Sequence, residues 1–175
     1  MSMIYYAKSA DEFGNKVTNR EHLGAVAALA LRYGEEIGMP KTAWLTGIIH
    51  DFGKYSELFQ NVLKGTATNV DHAICSAVLL YIARLSKNED PALCLAAVSA
   101  AHHSALRAFS RMKPELKAIR LGQGQGSCAS GKRAALFGQE EYDAAFLAFM
   151  RDFPDFKPSG LERFVDKSID EKMLR

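Results

Sequence analysis

The chain has 175 residues, 48% of them hydrophobic and 24% charged, with a formal net charge of +2. This is ordinary globular composition for about one domain; it excludes a disordered, collagenous or coiled-coil chain, and stability needs neither disulfides nor an oligomer. No run reaches the ~18 apolar residues of a membrane helix, MSMIYYAKSA is no signal peptide, and three scattered cysteines without a CxxC (Cys75, Cys94, Cys128) indicate a reducing, cytoplasmic setting with no membrane.

The pattern reads as helix after helix. Residues 19–38 come first, with Leu23, Val26, Ala27, Ala30, Tyr33 and Ile37 on one face, a Thr18–Glu21 capping box and Gly38 as terminator. A second helix runs from about Thr42 to Asp51 on Trp44, Leu45, Ile48 and Ile49, and stops near Gly53. A short one follows from Ser56 to Lys64, burying Leu58, Phe59, Val62 and Leu63 and ending at Gly65. Asp71 caps a long helix reaching about Ser86, and Asp90-Pro91 opens another that ends near His102–His103. LGQGQGSCASGKR, residues 121–133, is too rich in Gly, Ser and Gln for regular structure and reads as a flexible loop. Helical pattern returns over 139–153 (Tyr142, Phe146, Phe149, Met150, Phe153), breaks at PDFKPSG, and starts again near Leu161. Alternating strands and internal repeats are absent, so the expected class is all-α.

Charge is unevenly spread. Between Ser104 and Gly138 stand Arg107, Arg111, Lys113, Lys117, Arg120, Lys132 and Arg133, against the single acid Glu115. Such a run is either a solvated loop or a track for a phosphate backbone.

The five histidines carry more chemistry. His22, His50, His72, His102 and His103 each fall at or near an expected helix end, as His50-Asp51, Asp71-His72 and the pair His102-His103. Adjacent helical residues point about 100° apart at about 3.6 residues per turn, so such pairs serve one site only if it lies off the helix end, or if two ions share it. A carboxylate between histidine sets suits cations ~3.5–4 Å apart. Several imidazoles with one carboxylate favour a first-row transition metal. One histidine alone is more often a core or surface residue; five in one scheme are not.

On these residues the chain resembles a known family. GIIHDFGKYSELFQ (47–60) contains the HD-superfamily core HD-x-GK; YAKSADEFG and EHL precede it, and VDHAICSAVLL and AAHHS follow. The ordered set is similar to the HD nuclease domain of the CRISPR-associated helicase-nuclease of type I systems, over nearly all of residues 5–105. The resemblance implies an HD-domain helical bundle with a metal site between helix ends. It implies one or two divalent ions (Mn, Ni, Co, Fe, Mg or Zn), with His22, His50 and Asp51 on one and Asp51, His72, His102 and His103 on the other. Asp51 would bridge, and Lys54 would add positive charge for the transition state. Ser9 and Lys8 match an early motif of the family and read either as neighbours of the site or as a surface turn. Trp44, Phe52 and Phe59 read as core.

One feature departs from the family, which has a further aspartate on a later helix among small and apolar residues. Asp166 and Asp170, in FVDKSIDEK, do not match that setting. Residues 1–175 are therefore expected to be a single HD nuclease domain that is the N-terminal portion of a longer chain.

The implied activity is endonuclease or exonuclease cleavage of single-stranded DNA phosphodiesters in CRISPR interference. A bound ion would lower the pKa of a water to about 7 in the best case. The partners would be single-stranded DNA along the basic run, an RNA-guided surveillance complex, and a helicase fused or separate. The alternatives are an HD phosphohydrolase of nucleotides or cyclic nucleotides, and a catalytically silent docking module. GSCASGKR (126–133) approaches a P-loop but ends in Arg133 where the Mg²⁺-binding hydroxyl belongs, and no buried strand precedes it.

Overall fold

A helix apolar on nearly every side, α4 (His72–Ile82), forms the middle of the molecule, with Ala73 to Tyr81 all buried. This computed structural model describes residues 3–68, 70–82, 89–106, 108–120, 126–127, 133–134, 139–156 and 161–166. The remaining helices are α1 (Asn19–Glu36), α2 (Pro40–Ile49), α3 (Glu57–Leu63), α5 (Glu89–Ala101), α6 (Phe109–Arg120) and α7 (Gln139–Asp152). Two 3-10 turns, Phe52–Tyr55 and Leu161–Phe164, and a two-residue antiparallel ladder complete the described elements. The fold is all-α in class, and no helix among the described residues is long and apolar enough to cross a membrane.

Local chemistry accounts for most helix ends. Thr18 Oγ1 accepts from the Glu21 amide at 3.2 Å while the Thr18 amide donates to Glu21 Oε2 at 2.9 Å, the reciprocal box expected at the start of α1. Gly38 and Gly65 stop α1 and α3 with φ of 69° and 76°. Ser56 caps α3 and Asp71 caps α4 through Ile74. The stretch expected to carry α4 on to Ser86 lies outside the described residues from position 83.

Close backbone approach joins α1 to α2. A Cβ at Gly34 would stand 2.7 Å from Ala43 Cβ and 2.8 Å from Met39 O. At Gly47 it would stand 3.0 Å from Ala27 Cα. Behind the Phe52–Tyr55 turn, α7 supplies an aromatic bed: Phe149, fully buried, meets Phe52 edge-on at 5.6 Å, Tyr55 at 5.7 Å and Phe156 at 4.9 Å. Tyr55 Oη donates to Asp152 Oδ2 at 2.7 Å. From the other side, Gln60 Oε1 accepts from the Tyr6 amide, and its Nε2 donates to the Tyr6 and Lys54 carbonyls at 3.0 and 2.8 Å. The turn between α2 and α3 is thus held on both faces.

Several expectations are corrected. α1 turns Leu23, Ala27 and Gly34 inward, while Tyr33 and Ile37 are exposed because α2 covers only part of that face. α2 starts two residues early, at Pro40, and ends before Asp51. α6 was not expected: its basic side chains and Pro114 mask a short amphipathic pattern in which Met112 and Leu116, four apart, are buried. Within the Gly-rich 121–133 stretch, Gly126–Ser127 pairs with Arg133–Ala134, since a two-residue ladder needs only backbone groups; residues 128–132 lie outside the described set. The last helix is, as far as it is described, the turn Leu161–Phe164.

Asp166, just past that turn, has a structural task. Its Oδ2 accepts from the Thr42 amide at 2.8 Å and its own amide donates to Thr42 Oγ1 at 2.9 Å. It caps α2 from 124 residues away, where the N-cap residue Met39 makes no side-chain bond. Asp166→Ala is expected to destabilise the protein by about 1 kcal/mol, measured as a lower midpoint in urea with an unchanged slope.

Candidate metal centre

Four helix ends deliver the histidines to one carboxylate. His22 sits in the first turns of α1, His50 caps the C-terminus of α2, His72 opens α4, and His102 and His103 lie in the turn that follows α5. Asp51, between α2 and the Phe52–Tyr55 turn, is 2% exposed. Its Oδ2 faces His22 Nε2 at 3.0 Å, His50 Nε2 at 3.1 Å and Lys54 Nζ at 2.8 Å. Its Oδ1 faces His72 Nε2 at 3.2 Å and His102 Nε2 at 3.1 Å. His103 Nε2 stands 3.1 Å from His72 Nε2. Two donor groups result, His22–His50–Asp51 and Asp51–His72–His102–His103, with ligand atoms within 4.8 Å of one another in each.

The donor chemistry fits a cation. His50 Nδ1 is 2.7 Å from the Gly47 carbonyl and His102 Nδ1 is 2.6 Å from that of Ser99. A carbonyl only accepts, so both Nδ1 atoms carry hydrogen, and in the neutral rings each Nε2 presents a lone pair to an Asp51 oxygen that also presents one. Two acceptors about 3 Å apart repel unless a proton or a metal ion lies between them. Imidazoles oriented by backbone carbonyls around a shared carboxylate are the arrangement that divalent first-row metals take.

The same geometry shifts the titrations of the metal-free protein. Burial would raise Asp51, yet hydrogen bonds from His102, His22, His50 and His72 outweigh it and hold the carboxyl far below the usual range. Burial pushes His102 down, but its bonds to Asp51 and the Ser99 carbonyl prevail and raise it. His103 is lowered by burial and by the neighbouring His102 and His72.

All six candidate ligands, with Lys54, are brought together. Of the candidate nucleic-acid contacts, only Arg111 and Lys113 have described side chains. Arg111 is exposed on α6 and Lys113 half-buried there; Lys117 and Arg120 lie on α6 and Arg133 on the ladder with their side chains outside the description, as are Arg107 and Lys132 altogether. Lys8 and Ser9 are exposed, and the Lys8 charge acts on Asp11. Asp166 is engaged at α2, and Asp170 is outside the described residues. Phe52 and Phe59 are core, and Trp44 is half-buried against Phe164 at 5.1 Å. Sequence reasoning missed the supporting groups: the Gly47 and Ser99 carbonyls and the Gln60 side chain. The i−3 spacing to a histidine at a helix end is the signal that points to the two carbonyls.

His102 must lose its proton to bind an ion. Its raised value means that proton persists above the unfolded-state pKa of about 6.5. Affinity for Mn²⁺ is therefore expected to rise with pH from about 6.5 upward, with proton release visible as a buffer-dependent enthalpy in calorimetry. Without metal, the stability that this proton contributes is complete below about 6.5 and fades as pH rises through the folded-state value.

Comparison with known proteins adds one match. The HD domain family matches residues 19–125, whereas no curated protein and no solved structure matches the chain. The matched segment spans more than half of the sequence and includes all five histidines and Asp51. The chain belongs to the HD domain family.

Proposed function

We propose that this chain is a metal-dependent nuclease domain that hydrolyses single-stranded DNA phosphodiesters in CRISPR interference, alongside an RNA-guided surveillance complex and a helicase fused or separate. The coarser part stands on the family, whose members are typically metal-dependent hydrolases, and on a His/Asp cluster able to hold a divalent ion. The observation that carries the reading is one buried carboxylate serving two donor groups, with Lys54 alongside. The ordered motifs through residue 105 and the exposed Arg111 on α6 support DNA as the substrate.

When bound, divalent ions lower the pKa of a water and neutralise charge on phosphoryl oxygens. The chain supplies the rest. Asp51 offers one oxygen to each donor group and stays ionised, because its imidazole partners hold its proton affinity down. Lys54, its Nζ 2.8 Å from Asp51 Oδ2 and its side chain 12% exposed, keeps an ammonium beside the carboxylate where a non-bridging phosphate oxygen gains negative charge. His22 and His103 form the accessible edge: the His22 side chain is 32% exposed and His103 is exposed, so a strand can lie across the cluster. Arg107, Arg111, Lys113, Lys117, Arg120, Lys132 and Arg133 then supply the backbone-tracking charge.

Nicking of circular single-stranded DNA with Mn²⁺, Ni²⁺, Co²⁺ or Mg²⁺ tests this. The wild type is expected to cut and Asp51→Ala to fall to background. Hydrolysis of nucleotides or cyclic nucleotides without nicking would identify a small-molecule phosphohydrolase instead, and ion binding without any hydrolysis a docking module. Lys54→Met is expected to retain metal binding while turnover drops about 10²-fold, read from single-turnover rates at saturating metal.

A further inference from the structure

His72 is held differently from the imidazoles beside it. His50 and His102 are each anchored by Nδ1 on a carbonyl three residues earlier in their own helix. His72 opens α4, and its Nδ1 is buried with no hydrogen-bond partner among the described residues. The terminal torsion of a histidine is broad, so a ring without such an anchor takes its orientation from what packs on it.

Besides the His102 and His103 rings of the cluster itself, at 5.7 and 5.0 Å, two contacts seat it from outside the cluster. The first is backbone on backbone, at Gly53 in the turn after Asp51. A Cβ there would overlap the His72 carbonyl oxygen and stand 2.7 Å from its Cα and 2.9 Å from its carbonyl carbon. All three atoms are main chain, so any side chain at position 53 must push the start of α4 away. The second is the Phe59 ring, 8% exposed, which meets the His72 ring edge-on with centroids 5.0 Å apart. Phe59 also carries the Lys54 ammonium 5.5 Å from its own centroid, so it lies against two of the five groups that face Asp51.

We propose that Gly53 and Phe59 are positioning residues for His72, and that through it they govern the Asp51–His72–His102–His103 group while leaving His22–His50–Asp51 unaffected. This rests on the reading of the cluster as a metal centre. Ligand distances tolerate about 0.2 Å. His50 and His102 keep their hydrogen-bonded anchors when the His72 seat shifts. His72 has no such anchor, so the displacement passes directly to its Nε2.

The test is a Co²⁺ titration of the full chain, followed by visible absorbance and calorimetry, with His22→Ala and His72→Ala assigning the binding phases to the two donor groups. Gly53→Ala and Phe59→Leu are expected to weaken the phase that His72→Ala abolishes by about 10- to 100-fold, and to spare the phase that His22→Ala abolishes. Phe59→Leu leaves the backbone contact intact, so it decides the matter even if Gly53→Ala does not fold. Unchanged affinity in both phases overturns the proposal. Equal weakening of both overturns it too, since that is general loosening rather than positioning. A wild type that takes up no Co²⁺ overturns the metal-centre reading itself, and is distinguished from the other failures by the parent protein alone.

Discussion

A carboxylate taken out of water is the constraint on which this structure turns. Asp51 is almost wholly buried, and an uncompensated charge in such a place costs several kcal/mol even after relaxation. The protein does not neutralise it by protonation; it surrounds it with Lys54 and four imidazole nitrogens, two or three groups to each oxygen. The compensation comes from three different helices, from the turn after a fourth and from the turn that bears Asp51 itself. The site and the tertiary fold therefore depend on each other: without the packing the charges do not meet, and without the charges the burial of Asp51 is unfavourable.

Placing the histidines at helix ends solves a geometric problem. A helix interior aims its side chains at the neighbouring helix, which here means the apolar packing of α4 against α5 and of α1 against α2. Beyond the last turn, a side chain can leave that interface and reach a point off the helix axis. His50 and His102 do this while still donating to carbonyls of the final turn, groups that would otherwise lack an intrahelical partner. The same bonds fix the tautomer of each ring. One set of contacts thus satisfies a helix terminus and orients a donor.

The rigid element between these ends is the Phe52–Tyr55 turn. It is clamped by the aromatic bed of α7 on one side and by Gln60 and the Tyr6 backbone on the other. Gln60 uses its amide fully, one accepted and two donated hydrogen bonds, all to backbone. A turn of four residues has little stability of its own; its precision is borrowed from elements distant in sequence.

Sequence alone determined the helical class, most helix starts and the list of groups with chemistry. These follow from local physics: the Thr18–Glu21 box, the Asp71 and Ser56 caps and the stopping glycines act within a few residues, and apolar period is visible wherever charge does not hide it. The histidines and Asp51 were legible because few residue types bind metals and these recur beside one another. Tertiary structure decided the rest. It docked α6 by Met112 and Leu116 despite a basic, proline-containing sequence, and it turned Tyr33 and Ile37 outward because the covering helix is short. It assigned Asp166 to α2 rather than to the metal cluster. It also distinguished the histidines by their support, two with Nδ1 on a carbonyl and His72 with none there. None of these is encoded in local spacing, because each depends on which surfaces meet across long stretches of chain, and that is settled only when the core closes.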